Sequence, residues 1–228
     1  MSVRHRWPLR IVGLLVLGIV AIAPFEVSPG QREELPSFAL DPEVEQVARY
    51  LEWRATASID PALRREVATA LMEEARYTGL DPLLILAVMA VESDFIPDAV
   101  SNAQAKGLLQ LRDITVEEIV KHEELPAKAA LESPEVVKMR YGIRYLALMM
   151  KRFPDQARAL AAWNAGPGAV GRELAATGEV PDRWLSFARR VDRQHRRIRN
   201  YFGQELQPTT QAPTWLAAGP KVEAASLD

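Results

Sequence analysis

Residues 83–91 are nine consecutive apolar positions, and they follow directly on Asp81-Pro82. Aspartate is a good N-cap and proline suits the first helical position, so the stretch is read as a helix over 81–93. A helix with no polar face must be buried on all sides. The rest of the fold is therefore expected to wrap around it. Glu92 is the first charge after Asp81. A carboxylate there meets apolar neighbours, scarce water and the negative end of the helix dipole, and all three favour its protonated form. A carboxyl group protonated near neutral pH is what a general acid needs. The competing reading is that Glu92 only marks where the helix reaches water.

Around this helix the same device recurs. Asp41-Pro42, Asp60-Pro61, Asp81-Pro82 and Ser133-Pro134 each pair a capping residue with a proline. They predict helices over 41–57, 60–78, 81–93 and 133–152, with Gly79 stopping the second. Residues 95–106 contain Pro97 and Asn102 and no period, so they form a loop. Thr115 and Glu118 have the spacing of a capping box, which opens a short helix to His122. The helix from Pro134 is expected to bury Val137, Tyr141, Tyr145, Leu148 and Met149. Pro154 ends it, and Asp155 caps a further helix that stops at Gly166-Pro167-Gly168. A last amphipathic helix spans 181–202. No strand pattern is present, so residues 41–205 are expected to be an all-α domain.

The N-terminus has the form of an export signal. Arg4, His5, Arg6 and Arg10 precede an uncharged run at 11–25. Residues 1–27 are a signal peptide or an uncleaved anchor, with the basic end in the cytoplasm. Ala21-Ile22-Ala23 has the small-x-small form of a cleavage site, but Pro24 follows it. This places the remainder in the periplasm, held at the inner membrane through residues 11–25. Residues 28–40 form a linker, and 206–228 read as a disordered tail.

The chain has no cysteine, which excludes disulfides, thiolate metal sites and cysteine nucleophiles. Its histidines, His5, His122 and His195, make no metal-ligand pattern. No metal and no cofactor are expected. The last helix is rich in arginine, but the export signal argues against nucleic acid as a partner. A solvated face, or weak attraction to an anionic polymer or lipid, fits better.

Four polar features stand in apolar frames: Glu92; Ser101 in the following loop; Gln110 between Leu109 and Leu111; and Trp163-Asn164 before the glycine-rich turn. A buried glutamine is either structural or aimed into a cleft. An aromatic ring beside an amide is either core packing or one wall of a sugar site. In order and spacing, Glu92-Ser93-x-Phe95, Ser101, Gly107-Leu108-Leu109-Gln110, Gly142-x-x-Tyr145-Leu146 and Ala162-Trp163-Asn164-Ala165-Gly166-Pro167-Gly168-Ala169-Val170 resemble the lytic transglycosylase domain of the soluble type (SLT). The resemblance covers residues 63–201.

It implies a goose-type lysozyme-like fold and cleavage of the β-1,4 bond between N-acetylmuramic acid and N-acetylglucosamine in peptidoglycan strands. It implies that Glu92 works alone, first as acid and then as base, and leaves a 1,6-anhydro sugar. The substrate acetamido group would stabilise the intermediate charge. Ser101 would bond the Glu92 carboxyl or the substrate acetamide, and Gln110 would hold the saccharide. Trp163 and Asn164 would line the site, while Phe95 is packing. The alternatives are a muramidase that admits water, or a peptidoglycan-binding module with little or no turnover. The chain departs from the family pattern at Gln104 (usually glycine), Arg112-Asp113 (Met-Pro), Lys138 (asparagine) and Trp163 (tyrosine). The Glu-Thr pair usual before the last helix is not recognisable in Pro181-Asp182-Arg183-Trp184.

Overall fold

The computed structural model describes residues 41–55 and 59–205. The segments read as signal or anchor, linker and tail lie outside the described residues. Among the described residues no strand forms, and only two isolated bridges occur, Val100 with Lys106 and Lys106 with Leu111. None of the described helices is long and apolar enough to cross a membrane.

Among the described residues eight α-helices follow in order: α1 Pro42–Ala55, α2 Pro61–Thr78, α3 Pro82–Glu92, α4 Asp113–Val120, α5 Pro134–Arg152, α6 Gln156–Ala165, α7 Pro167–Thr177 and α8 Asp182–Glu205. A 3-10 turn, Ala127–Leu131, stands between α4 and α5. The caps follow from the sequence at α2, α3 and α6. The Asp60 carboxylate accepts the Ala62 and Leu63 N–H groups, Asp81 accepts that of Leu83, and Asp155 accepts that of Arg158 at 2.8 Å. Gly79 ends α2 with φ 75°, in the left-handed region.

The wrapped helix is α3. Every residue from Pro82 to Met89 is buried, and α3 packs most extensively on α8. Burying each large side chain stabilises the fold by roughly 1.5–3 kcal/mol before entropy is counted. Asp81 fastens the start of α3 to α8. Its Oδ2 lies 2.8 Å from His195 Nε2 and accepts from Arg199 Nη2 at 3.2 Å.

Three expectations fail. Thr115 does not open α4, which begins at Asp113 without a side-chain cap; Asp113 instead binds Lys106 and Lys138. Ser133 does not cap α5 with its hydroxyl, which has no partner; its N–H goes to Glu66. The buried face of α5 is Val136, Met139, Arg140, Ile143, Arg144, Leu146, Ala147 and Met149. Leu148 is exposed, and Val137, Tyr141 and Tyr145 are half-buried. Two arginines lie inward because acids on α2 meet them. Arg140 binds Glu73, Glu74 and Glu132, and Arg144 binds Glu74. The stop of α6 at Gly166 holds, but a helix that was not expected follows it: Pro167 is the first residue of α7, which is held by burial of Val170.

Candidate active site

Glu92 ends α3, and the chain turns away there at once. Asp94 and Phe95 both take positive φ, 51° and 64°. This conformation costs an L-residue about 1–2 kcal/mol. Phe95 offsets it by full burial, edge-on to Tyr50 with ring centres 6.0 Å apart. Ser93 is buried beside the turn, and its hydroxyl donates to Leu108 O at 2.9 Å. The end of α3 is thereby tied to the loop that forms the facing wall.

That wall is built from backbone hydrogen bonds. Lys106 and Leu111 exchange both N–H bonds, at 3.0 and 3.1 Å, and the Gly107 N–H reaches Ala99 O at 2.9 Å. The Gln110 amide nitrogen donates to Ala99 O (2.9 Å) and Gly107 O (3.0 Å). Both readings of Gln110 therefore hold, because its donors secure the loop while the residue lines the cleft. Ser101 accepts the Ala105 N–H at 3.1 Å. Its partner is this amide and not Glu92. Gln104 completes this turn at φ 60°. The usual glycine would adopt that angle without strain.

The opposite wall comes from the last turn of α6. Trp163 Nε1 donates to Glu92 Oε1 at 2.6 Å, and the indole packs beside Tyr145 with ring centres 5.6 Å apart. Asn164 is exposed on the same wall. Gly166, with φ 91°, turns the chain into α7. The cleft between the walls has a volume of about 510 Å³. All five expected residues, Glu92, Ser101, Gln110, Trp163 and Asn164, line it.

Arg112, Thr115, Tyr145 and Arg190 line it as well. Tyr145 had a signal in its spacing from Gly142. Gly142 is small because a Cβ there would lie 2.7 Å from Leu109 Cδ1, beside Gln110. Arg190 had none, being one arginine of many on a basic helix, and the reading of that helix as a solvated face is incomplete at this position.

Among the described residues lining the cleft, Glu92 is the one acid. Asp94 is exposed and paired with Arg54, and Asp98 lines a separate hollow. Burial pushes the Glu92 carboxyl up to about 7, against the opposing pull of the Trp163 N–H and the Arg190 charge. It can therefore exist in both protonation states near neutral pH. An indole N–H can only donate. The carbonyl oxygen of a neutral carboxyl is the better acceptor, so this bond favours the proton on Oε2.

The transglycosylase SLT domain matches residues 69–185, just over half of the chain. Membrane-bound lytic murein transglycosylase F of Marinobacter nauticus is 32% identical over 121 residues, covering 49% of this chain and 22% of that protein. Membrane-bound lytic murein transglycosylase C of Actinobacillus pleuropneumoniae is 32% identical over 141 residues, covering 56% of this chain and 35% of its own length. The chain thus spans about a third or less of these relatives. Among solved structures, an inactive mutant of lytic transglycosylase Slt from Pseudomonas aeruginosa aligns with 72% of this chain and 30% of its own (TM-score 0.45, 28% identity). The 70 kDa soluble lytic transglycosylase of Escherichia coli aligns with 71% and 31% (TM-score 0.49, 23% identity).

Proposed function

The chain belongs to the transglycosylase SLT domain family, and from that premise we propose that it is a peptidoglycan lytic transglycosylase with Glu92 as its single acid and base. We place it in the periplasm, anchored at the inner membrane through residues 11–25, as a goose-type lysozyme-like domain over 41–205.

The observation that carries the reading is one half-buried carboxyl group, pushed up to about 7, in a cleft that holds no other acid among the described residues. In the proposed reaction neutral Glu92 gives its Oε2 proton to the glycosidic oxygen between N-acetylmuramic acid and N-acetylglucosamine. The C1–O bond breaks, and the substrate's acetamido oxygen compensates the charge at C1. Glu92, now a carboxylate, accepts the proton of the muramoyl C6 hydroxyl as that oxygen bonds to C1. The product is a 1,6-anhydro sugar, and Glu92 is neutral again. The Trp163 N–H and Arg190 stabilise the carboxylate between the two steps. Gln110, Ser101 and Asn164 present hydrogen-bonding groups to the saccharide from the two walls.

A glycosidase that forms a covalent intermediate needs a second carboxylate about 5–5.5 Å from the first. A hydrolase that inverts instead needs a second carboxylate to activate water; among the described residues the lining of this cleft supplies neither, which favours the one-carboxylate route over a water-using muramidase. Digestion of purified sacculi followed by mass analysis of the soluble products tests the proposal. The expected products end in 1,6-anhydro sugars, and Glu92→Gln yields none. Reducing ends would instead establish a hydrolase, and binding without turnover a peptidoglycan-binding module.

A further inference from the structure

Beside the cleft, α8 and the end of α3 enclose a second hollow of about 340 Å³. It is lined by Ala90, Val91, Arg190, Arg193, Gln194 and Arg197. Val91 and Arg190 also line the cleft, so the two spaces adjoin along these residues. Arg190, Arg193 and Arg197 are spaced i, i+3, i+7 and share one face of α8.

Arg190 acts on Glu92 across the edge of the cleft, but Arg193 and Arg197 have no acid beside them on this face. The acids on α8 serve other arginines, Asp182 holding Arg189 and Asp192 holding Arg196. Asp81 takes Arg199. Among the described residues, Arg190, Arg193 and Arg197 are in no salt bridge, and the hollow has no acidic lining residue. Like charges three and four residues apart repel each other. An anion placed here would relieve that repulsion and gain planar, two-pronged hydrogen bonds.

We infer that this arginine groove binds carboxylates of the peptide stem carried by the muramoyl sugar, and so directs the enzyme to strands with acidic stems. The inference rests on the proposed function, since the hollow adjoins the cleft along Val91 and Arg190 and a stem of a strand held there has this space beside it. A membrane headgroup is the less favoured ligand, because the hollow shares Val91 and Arg190 with the cleft in which a strand would lie.

The test uses the full-length chain in detergent and two sets of labelled strands. One set keeps free stem carboxylates; in the other they are converted to primary amides. Equilibrium binding and kcat/KM for 1,6-anhydro products are measured on both. The free-carboxylate strands are expected to bind about tenfold more tightly at low salt, with the preference shrinking as salt rises. The double variant Arg193→Gln, Arg197→Gln is expected to lose the preference, and the corresponding double lysine variant to keep part of it. Equal binding of both strands by the wild type overturns the inference. So does an unchanged preference in the glutamine variant, or tighter binding to phosphatidylglycerol vesicles than to either strand. A preference in binding without any 1,6-anhydro product upholds the groove and overturns the transglycosylase reading, which separates the two failures.

Discussion

The Trp163 indole donates its only polar hydrogen to Glu92 Oε1 across 2.6 Å. A phenol in this place could either donate or accept, whereas the indole fixes the direction of the bond. It opposes the upward push of burial on Glu92 and keeps the acidic proton on the oxygen that does not face it. Trp163→Phe removes the donor and keeps the ring. Its alkaline limb of activity is expected to move to higher pH, and kcat/KM to fall by about tenfold or more. A pH–rate profile of sacculus solubilisation reads both effects. A limb that stays in place or moves down would show that the bond does not set the acidity of Glu92.

The same carboxyl group links stability to pH. Its folded value of about 7 lies above its ordinary 4.5, so the folded chain holds this proton more tightly than the unfolded chain does. The associated stability is complete below about 4.5 and is lost as pH rises through about 7. Glu92→Gln has no proton to lose. At pH 8 it is expected to be more stable than the wild type by about 1–3 kcal/mol, and at pH 4 the two should converge. Urea denaturation at both pH values decides; a difference independent of pH refutes the linkage.

Gln104 stands at φ 60° in an exposed turn beside Ser101. Gln104→Gly relieves a left-handed side chain, less the greater freedom glycine has when unfolded. We expect a gain of about 0.5–1 kcal/mol in chemical denaturation, with activity unchanged within about twofold. A loss of stability would mean that the side chain contributes contacts outweighing the backbone cost.

Gly142→Ala places a methyl group 2.7 Å from Leu109 Cδ1 and 3.2 Å from Leu111 Cδ1. Overpacking of this kind costs about 1–3 kcal/mol. Because Leu109 and Leu111 flank Gln110, activity is expected to fall together with stability. Leu109→Ala in the same chain should recover part of both, and a double-mutant cycle would measure the coupling. Strictly additive effects would show that α5 does not position this wall.

The central helix and its acid were legible because their signals are local. A run with no polar face admits few fates, and Asp-Pro pairs state where helices begin. Glu92, Ser101, Gln110, Trp163 and Asn164 do meet in one cleft, but their meeting came from resemblance; no period in the sequence joins residues so far apart. What was not legible depends on partners distant in the chain. Arg140 reads as a surface residue until Glu73 and Glu74 on α2 and Glu132 beside α5 surround it, and this turned the buried face of α5. The α7 segment contains Gly168 and Gly171, which lower helix propensity; burial of Val170 overrides it. Arg190 differs from its neighbours on α8 only in what it faces.

The acid and the two walls are held by different means. Glu92 sits on a helix gripped at its start by Asp81 and at its end by Ser93 and Trp163. The loop wall is held by backbone hydrogen bonds together with the side chains of Ser101 and Gln110. A substitution in α3 is thereby felt by the whole core, while an exposed loop position such as Gln104 can be exchanged without removing a side-chain bond that holds the wall. The frame thus separates the element that positions the acid from the groups that the cleft presents to a ligand.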